Sequence, residues 1–330
     1  MRRLVLLVFV LVVGCSYPSV RVAERVPVVP VPTAAAKITL ETPRPTPARL
    51  PDPATARPAR KPAAPLVRHP LAAFGGLGSW IDAYDYDNDP SSIVPLVRVM
   101  AAHGVHTLYL ETSRRKAPKD IAYPLALGAA LDVAKGFGMR VVAWYPPTFD
   151  NVSLDLRRSL AAIRFRSPEG NRFDAFGADI EYSTVKPPAE RNRRATVYSR
   201  DLRRMAGALP LAAIVYPPTQ IQKNPSIWPS YPWRSVFGTY YDIVMPMHYW
   251  TFHTSSAKDV FTSTVRNEAL VRALTGKPAH VIGGLAEDAS AAEVTAYVTA
   301  AIESGSIGGS LYDGRTTTLP QWVRLAPLNR

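Results

Sequence analysis

Residues 173–182 read FDAFGADIEY, an apolar run of strand length that closes on two carboxylates. From Phe173 to Ile180 it is nearly unbroken in apolar character, as a strand buried on both faces of a parallel sheet must be. Asp179 and Glu181 stand two positions apart, so a strand puts them on one face with Cα atoms about 6.6 Å apart. Seven more runs of this kind flank it at spacings of about thirty residues: GSWIDAYDY (78–86), HTLYLET (106–112), RVVAWYPP (140–147), LPLAAIVYPP (209–218), YDIVMPMHYW (241–250), AHVIGGL (279–285) and IGGSLYDG (307–314). Strand alternating with helix implies a parallel sheet. Eight repeats within residues 71–330 match the ~250 residues of one (β/α)₈ TIM barrel, which is the predicted fold class.

The intervening segments carry helix punctuation. Asp89-Pro90 reads as a capping carboxylate and a first-turn proline ahead of IVPLVRVMAAHG, with Gly104 ending the helix. LALGAALDVAKGFG, NVSLDLRRSLAAIRF, RATVYSRDLRRMAG and the segments 257–276 and 290–305 read likewise as helices. The stretch after the fifth run, IWPSYPWRSVF, is rich in Pro and Trp and predicts an irregular loop with a short helix. There is no GxGxxG after the first run and no GxxxxGK[ST], so dinucleotide and P-loop chemistry lack their phosphate cradle. HExxH is absent too, which disfavours a zinc hydrolase. No cofactor is expected.

The chain is 330 residues long with 47% hydrophobic residues, too many for a disordered protein. Its N-terminus reads MRRLVLLVFVLVVGC. Two arginines precede an apolar run, Leu4–Val13, that is short for the ~20 residues of a membrane-spanning helix and right for an export signal. Val12-Val13-Gly14-Cys15 resembles the bacterial lipobox, which makes Cys15, the sole cysteine, the expected lipidation site. Several acyl chains on one residue, at about 0.8 kcal/mol per buried CH₂, would hold the protein on the outer face of the cell membrane. Residues 16–70 contain 13 prolines and nine basic against three acidic residues. They read as a semi-extended basic tether. Of the net charge of +13, only +5 remains for residues 71–330, so the basicity belongs mostly to the tether and suits an anionic envelope surface. No basic helix with interleaved aromatics points to nucleic acid.

In a (β/α)₈ barrel the chemistry sits at the C-terminal strand ends. Asp179 and Glu181 there would repel one another, which drives one pKa up and leaves one acid and one carboxylate near neutral pH, the condition for glycosidic proton donation. Asp82 on the first run, Glu111 on the second and Asp313 on the eighth are candidates for a second catalytic carboxylate, each equally readable as a cap or rim ion pair. A separation of ~5 Å from Glu181 would imply retention and ~6.5–9.5 Å inversion. Asp85 and Asp87 read as loop residues, with an oxygen-ligand metal site as the alternative. Aromatics recur at the same ends: Trp80, Trp144, Tyr145, Tyr182, Tyr216, Tyr249, Trp250 and Tyr312. Such rings offer flat faces to sugars and polar handles to hydroxyls. His248 is readable as a substrate donor or base, or as a structural histidine.

The end of the fourth run resembles the DxxDxDxE signature of the chitinase-like glycoside hydrolases, family 18, with Asp174, Asp179 and Glu181 at its first, third and final positions and Gly177 in place of its second aspartate. The resemblance implies that Glu181 protonates the glycosidic oxygen and that Asp179 orients an N-acetyl group attacking the anomeric carbon. Met247-His248-Tyr249-Trp250 is similar to the family's Met-x-Tyr-Asp, which gives Tyr249 a supporting role, with Trp250 replacing the aspartate. The family's Ser-x-Gly-Gly is missing from the third run, and Tyr312 stands where the family has a tryptophan floor. The sequence therefore predicts a lipid-anchored, extracytoplasmic glycosidase-like barrel acting on an envelope or extracellular polysaccharide. A non-catalytic carbohydrate-binding barrel and an envelope scaffold remain open as alternatives.

Overall fold

A computed structural model of the chain describes residues 70–330. The signal segment with Cys15, and the tether up to residue 69, lie outside the described residues. Eight strands follow in order: β1 (Gly76–Ile81), β2 (Thr107–Glu111), β3 (Arg140–Tyr145), β4 (Ala175–Ile180), β5 (Leu211–Val215), β6 (Ile243–Pro246), β7 (His280–Leu285) and β8 (Gly308–Tyr312). All pairings are parallel, each strand lies beside its sequence neighbours, and β1 pairs with β8. Between β6 and β7 the seam is closed by single bridges, Val244 to Ala279 and Met247 to Ile282. The result is the expected (β/α)₈ barrel.

Helices α1 (Val94–Ala102), α2 (Pro124–Gly136), α3 (Val152–Arg164) and α4 (Pro188–Ala206) cover the first four crossovers. The β5–β6 connection holds the short α5 (Pro218–Lys223), a π-helical turn at Trp233–Phe237 and α6 (Gly238–Tyr240), as its Pro and Trp content implies. Then come α7 (Ala257–Thr275), α8 (Ala291–Glu303) and α9 (Leu319–Leu325). Local chemistry places their ends. Asn151 accepts from the Leu154 amide at 3.0 Å to start α3, Ser290 and Glu293 form a reciprocal capping box on α8, and Gly276, at φ 72°, stops α7. None of the helices among the described residues is long and apolar enough to cross a membrane.

Three expected boundaries move. Asp89 caps only a 3₁₀ turn, Pro90–Ser92, because Pro95 is tolerated just in the first turn of a helix, so α1 starts at Val94. The first strand ends at Ile81 rather than within DAYDY, since the Asp82 carboxylate accepts from the Tyr84 amide at 2.7 Å and bends the chain. The sixth ends at Pro246, with Met247 still bridged to Ile282 of β7 before the chain turns into the 3₁₀ turn Trp250–Phe252. Helix α9 has no counterpart in the sequence reading, although Thr318 and Gln321 spell its capping box.

Strand register sorts the barrel interior into layers of four, contributed by alternate strands. Trp80, Trp144, Ile214 and Ile282 form one layer from the odd strands. Beneath it lie Tyr109, Gly177, Met245 and Ser310. Trp80 stacks on Tyr109 with ring centroids 4.1 Å apart, meets Trp144 edge-on at 5.9 Å and donates to Ser310 Oγ at 2.8 Å. Stacked pairs of this type contribute about 1 kcal/mol beyond burial. Above these, register places Glu111, Asp179, Met247 and Tyr312 in the topmost layer, at the C-terminal mouth. The opposite end is filled by Ala73 and Phe74 of the turn Pro70–Phe74.

Candidate active site

The period-two alternation of β4 turns Phe176, Ala178 and Ile180 outward into the strand–helix core and Ala175, Gly177 and Asp179 into the barrel. Asp179 is thus buried, 7% exposed, and its Oδ1 has no hydrogen-bond partner. Burial, followed by the neighbouring Glu181 and Glu111 carboxylates, pushes its pKa well above the usual carboxylate range. Glu181, one step further along the same face, is half-buried, and burial raises its pKa also. Three carboxyl groups therefore compete for protons in one low-dielectric mouth, which can hold an un-ionised acid at neutral pH.

Tyrosines brace the end of β4. Tyr216 donates to the Glu181 carbonyl and Tyr231 to the Ile180 carbonyl, both at 3.0 Å. Tyr182 is half-buried, and burial together with Glu181 raises its hydroxyl to about 12. Across the mouth, Tyr249 lies 5.8 Å from Tyr312, ring centroid to centroid, and Tyr312 is 6.4 Å from Trp80. Phe252, 64% exposed, continues this series at 6.1 Å from Tyr249. The aromatic series runs from the rim down to Trp144, whose buried indole Nε1 lacks a partner. Tyr84, 72% exposed and covered on one side by the Arg114 guanidinium at 4.3 Å, is a second rim aromatic. Tyr84 and Phe252 are not legible as rim residues in the sequence, because both lie in turns whose direction period-two alternation does not give.

Glu111 ends β2 almost fully buried and accepts from the Ala83 amide at 2.6 Å. Burial raises it to about 8; the Ala83 bond opposes this and Asp82 adds to it. Asp82 accepts from Tyr312 Oη at 2.8 Å as well as from the Tyr84 amide. Asp313 accepts from the Arg315 and Thr316 amides at 3.0 and 3.1 Å, and so caps the turn that follows β8. Asp82, Asp85 and Asp313 bring carboxylate oxygens within 4.8 Å of one another, an arrangement with oxygen donors for a hard cation. Asp85 also pairs with Arg315 at 3.2 Å; burial, Asp82 and Asp313 raise it to about 7. Asp87 is not in this group; it accepts from the Asp89 amide at 2.7 Å in the loop.

Four residues expected at the sugar site lie elsewhere. Tyr145 points out of the barrel from β3, where its hydroxyl donates to Asp155 of α3 at 2.7 Å. His248 is buried against Thr264 of α7, with Nδ1 at 3.2 Å from the hydroxyl, and burial lowers its pKa to about 4, so it is a neutral structural histidine. Trp250 is fully buried, tilted over Tyr297 at 5.1 Å and lying across Gly283 and Gly284, where any Cβ would come within 2.7 Å of its ring. Trp80 is core, in the layer below the mouth. A strand-end aromatic faces inward or outward according to its register, and one position reverses it. Asp174 belongs to the opposite, N-terminal end of β4, where it pairs with Lys135 and accepts from the Val141 amide at 2.7 Å.

The chain is thus a (β/α)₈ barrel whose C-terminal mouth is acidic and lined with tyrosines. No protein-family model matches the sequence, and no curated protein matches it. Among solved structures it is similar to the C-terminal domain of a putative chitinase from Desulfitobacterium hafniense DCB-2, with TM-score 0.58 and 10% identity over 77% of this chain and 98% of that one. It is also similar to the spore cortex-lytic enzyme SleL of Bacillus megaterium QM B1551, with TM-score 0.55 and 12% identity over 78% and 74% of the two chains. A chitinase from Chromobacterium violaceum ATCC 12472 gives TM-score 0.54 and 11% identity over 78% and 99%. At these identities the likeness establishes a shared fold.

Proposed function

We propose that this protein is a glycoside hydrolase of the chitinase-like kind, carried on a lipid anchor at the outer face of a bacterial cell membrane and acting on an envelope or extracellular polysaccharide. The observation that carries the reading is Asp179 facing inward at the end of β4 with Glu181 just past that end, both with pKa values raised by burial. Glu181 is the proton donor to the glycosidic oxygen, since it is the outer, half-exposed member of the pair. Asp179, deeper and with an unpartnered oxygen, is its partner. If the substrate carries an N-acetyl group, Asp179 orients that group's attack on the anomeric carbon, with Tyr249 beside it. Tyr312 and Tyr249 supply ring faces and hydroxyls for the sugar. The names of the chitinases and the cortex-lytic enzyme sharing the fold support a substrate built from amino sugars.

The test is hydrolysis of a panel of chitin oligosaccharides and envelope glycans, comparing the native protein with Glu181→Gln. Turnover is expected from the native protein, and a fall of about 10²–10⁴-fold or more in kcat for the variant. Because the acid acts in its protonated form, activity should fall on the alkaline side as Glu181 ionises, at a pH above the ordinary carboxylate range. Glycan binding without turnover would instead establish a carbohydrate-binding barrel, the reading favoured by the loss of the second aspartate at Gly177. Neither binding nor turnover would favour a scaffold.

A further inference from the structure

Near its start, helix α4 carries a guanidinium in a place where charge is costly. Arg191 is fully buried, and its Nε and Nη2 have no hydrogen-bond partner among the described residues. The titratable groups that act on it are the Tyr216 and Tyr231 hydroxyls, with no carboxylate among them. A buried cation without a counter-ion opposes folding, and an apolar residue of similar size would serve stability better. Its contacts lead instead to the chain around Glu181. Nη1 donates to the Ser183 carbonyl at 2.9 Å, and the guanidinium lies over the Trp228 ring with Cζ 4.2 Å from the centroid. Trp228 is itself fixed: its Nε1 donates to Asn192 Oδ1 at 2.5 Å, and its ring meets Tyr231 edge-on at 5.1 Å. Tyr231 in turn donates to the Ile180 carbonyl, and Tyr216 to the Glu181 carbonyl. The carbonyls of Ile180, Glu181 and Ser183 are thus each held by a side chain from outside β4.

We propose that Arg191 is a positioning residue for the proton donor: from behind the β4–α4 connection it pins the Ser183 carbonyl and, with the two tyrosines, fixes the backbone on both sides of Glu181. The inference rests on the glycosidase reading for its effect on turnover, but not for the placement of Glu181.

An arginine suits this task. A flat guanidinium stacks on the indole face and still donates from its edge, so Trp228 holds the donor where a carboxylate would compete with the Ser183 carbonyl for it. Ser183 is only half-buried, so water takes over its carbonyl when the donor is removed. Order in a loop beside a site and stability of the whole domain are separate quantities. Arg191 therefore sets the placement of Glu181 against overall stability, a trade characteristic of functional sites.

The experiment compares the full chain with its Arg191→Met variant by three readouts. In denaturant unfolding the variant midpoint should equal or exceed the native one, since a buried unpaired charge has gone. In ¹³C-carboxyl NMR across about pH 3–9, the Glu181 midpoint should fall toward the usual glutamate range, because a released side chain regains water. The sign is decisive: were Arg191 only a nearby positive charge, its removal would raise that midpoint. The titratable groups facing Glu181 are Asp179 of β4, Tyr182 beyond it and Tyr231 from the β5–β6 connection, and the variant keeps them all. On a glycan that the native protein cleaves, kcat should fall about 10–100-fold with KM at the native value, the cost of a misplaced acid. A Glu181 midpoint that is unmoved or raised would overturn the proposal. So would a variant that is unfolded, or that loses stability in step with activity, since that marks a structural role. Absence of turnover in the native protein counts against the glycosidase reading alone, because the titration and the unfolding are read without substrate.

Discussion

At the scale of single residues, the barrel mouth and the strand–helix core compete for the same aromatic residue types, and register decides between them. Tyr145 illustrates the outcome. Its hydroxyl donates to Asp155 at 2.7 Å and accepts from Arg158 at 3.3 Å, and Asp155 also accepts from the Phe149 amide at 2.9 Å. The group is a buried structural network outside the barrel. Tyr145→Phe should therefore cost about 1–2 kcal/mol in denaturant unfolding, the value of a lost hydrogen bond to a buried charged acceptor, while KM for any glycan substrate stays at the native value. A raised KM at unchanged stability would return Tyr145 to the sugar site. Tyr312, by contrast, stands in the topmost layer of the barrel interior, where its hydroxyl reaches the Asp82 carboxylate.

At the scale of elements, the mouth is shaped by loops that helices hold from behind. Arg158, on the buried face of α3, donates to the carbonyls of Arg114 at 2.9 Å, Arg115 at 3.2 Å and Ala117 at 2.7 Å, which fastens the β2–α2 loop. That loop carries Arg114, the cation over Tyr84, and exposes Arg115, Lys116 and Lys119. Removing the guanidinium leaves three carbonyls without this donor and Asp155 without its nearby cation. Arg158→Met should lower stability by about 3 kcal/mol, as for breaking a buried ionic network. Limited trypsin digestion should also cut within 114–119 faster than in the native protein. An unchanged cleavage rate there would show that the loop is held by other contacts.

Over the whole molecule, the same direction of chain travel sets the barrel's two ends. The turn Pro70–Phe74 fills the N-terminal end with Phe74 and Ala73, and Asn329 near the C-terminus accepts from the Leu77 amide at 2.8 Å and donates to the Gly104 carbonyl at 2.7 Å. The carboxylates gather at the other end. If Cys15 is lipidated, Cys15→Ser should move the protein from the membrane pellet to the soluble fraction after cell fractionation. Continued tight attachment of the variant would sink the lipobox reading.

The sequence by itself determined the architecture. Eight apolar runs separated by capped amphipathic segments admit few arrangements, because each run must be buried on both faces and each segment on one. It also brought Asp179 and Glu181 together at the end of the fourth run, since residues two apart on an extended chain are neighbours whatever the tertiary context. What it left open were matters of register and of loop direction. Tyr145, His248 and Trp250 stand beside true mouth residues in the sequence, yet the end of β6 at Pro246 and the outward step of β3 carry them into the core. Only the tertiary structure put Glu111 level with Asp179, filled the Gly177 position with Ile214, and drew Asp82, Asp85 and Asp313 together. The reason is the stagger of a closed barrel. Neighbours across the interior are set by how far each strand slides against the next, a quantity that local spacing does not encode.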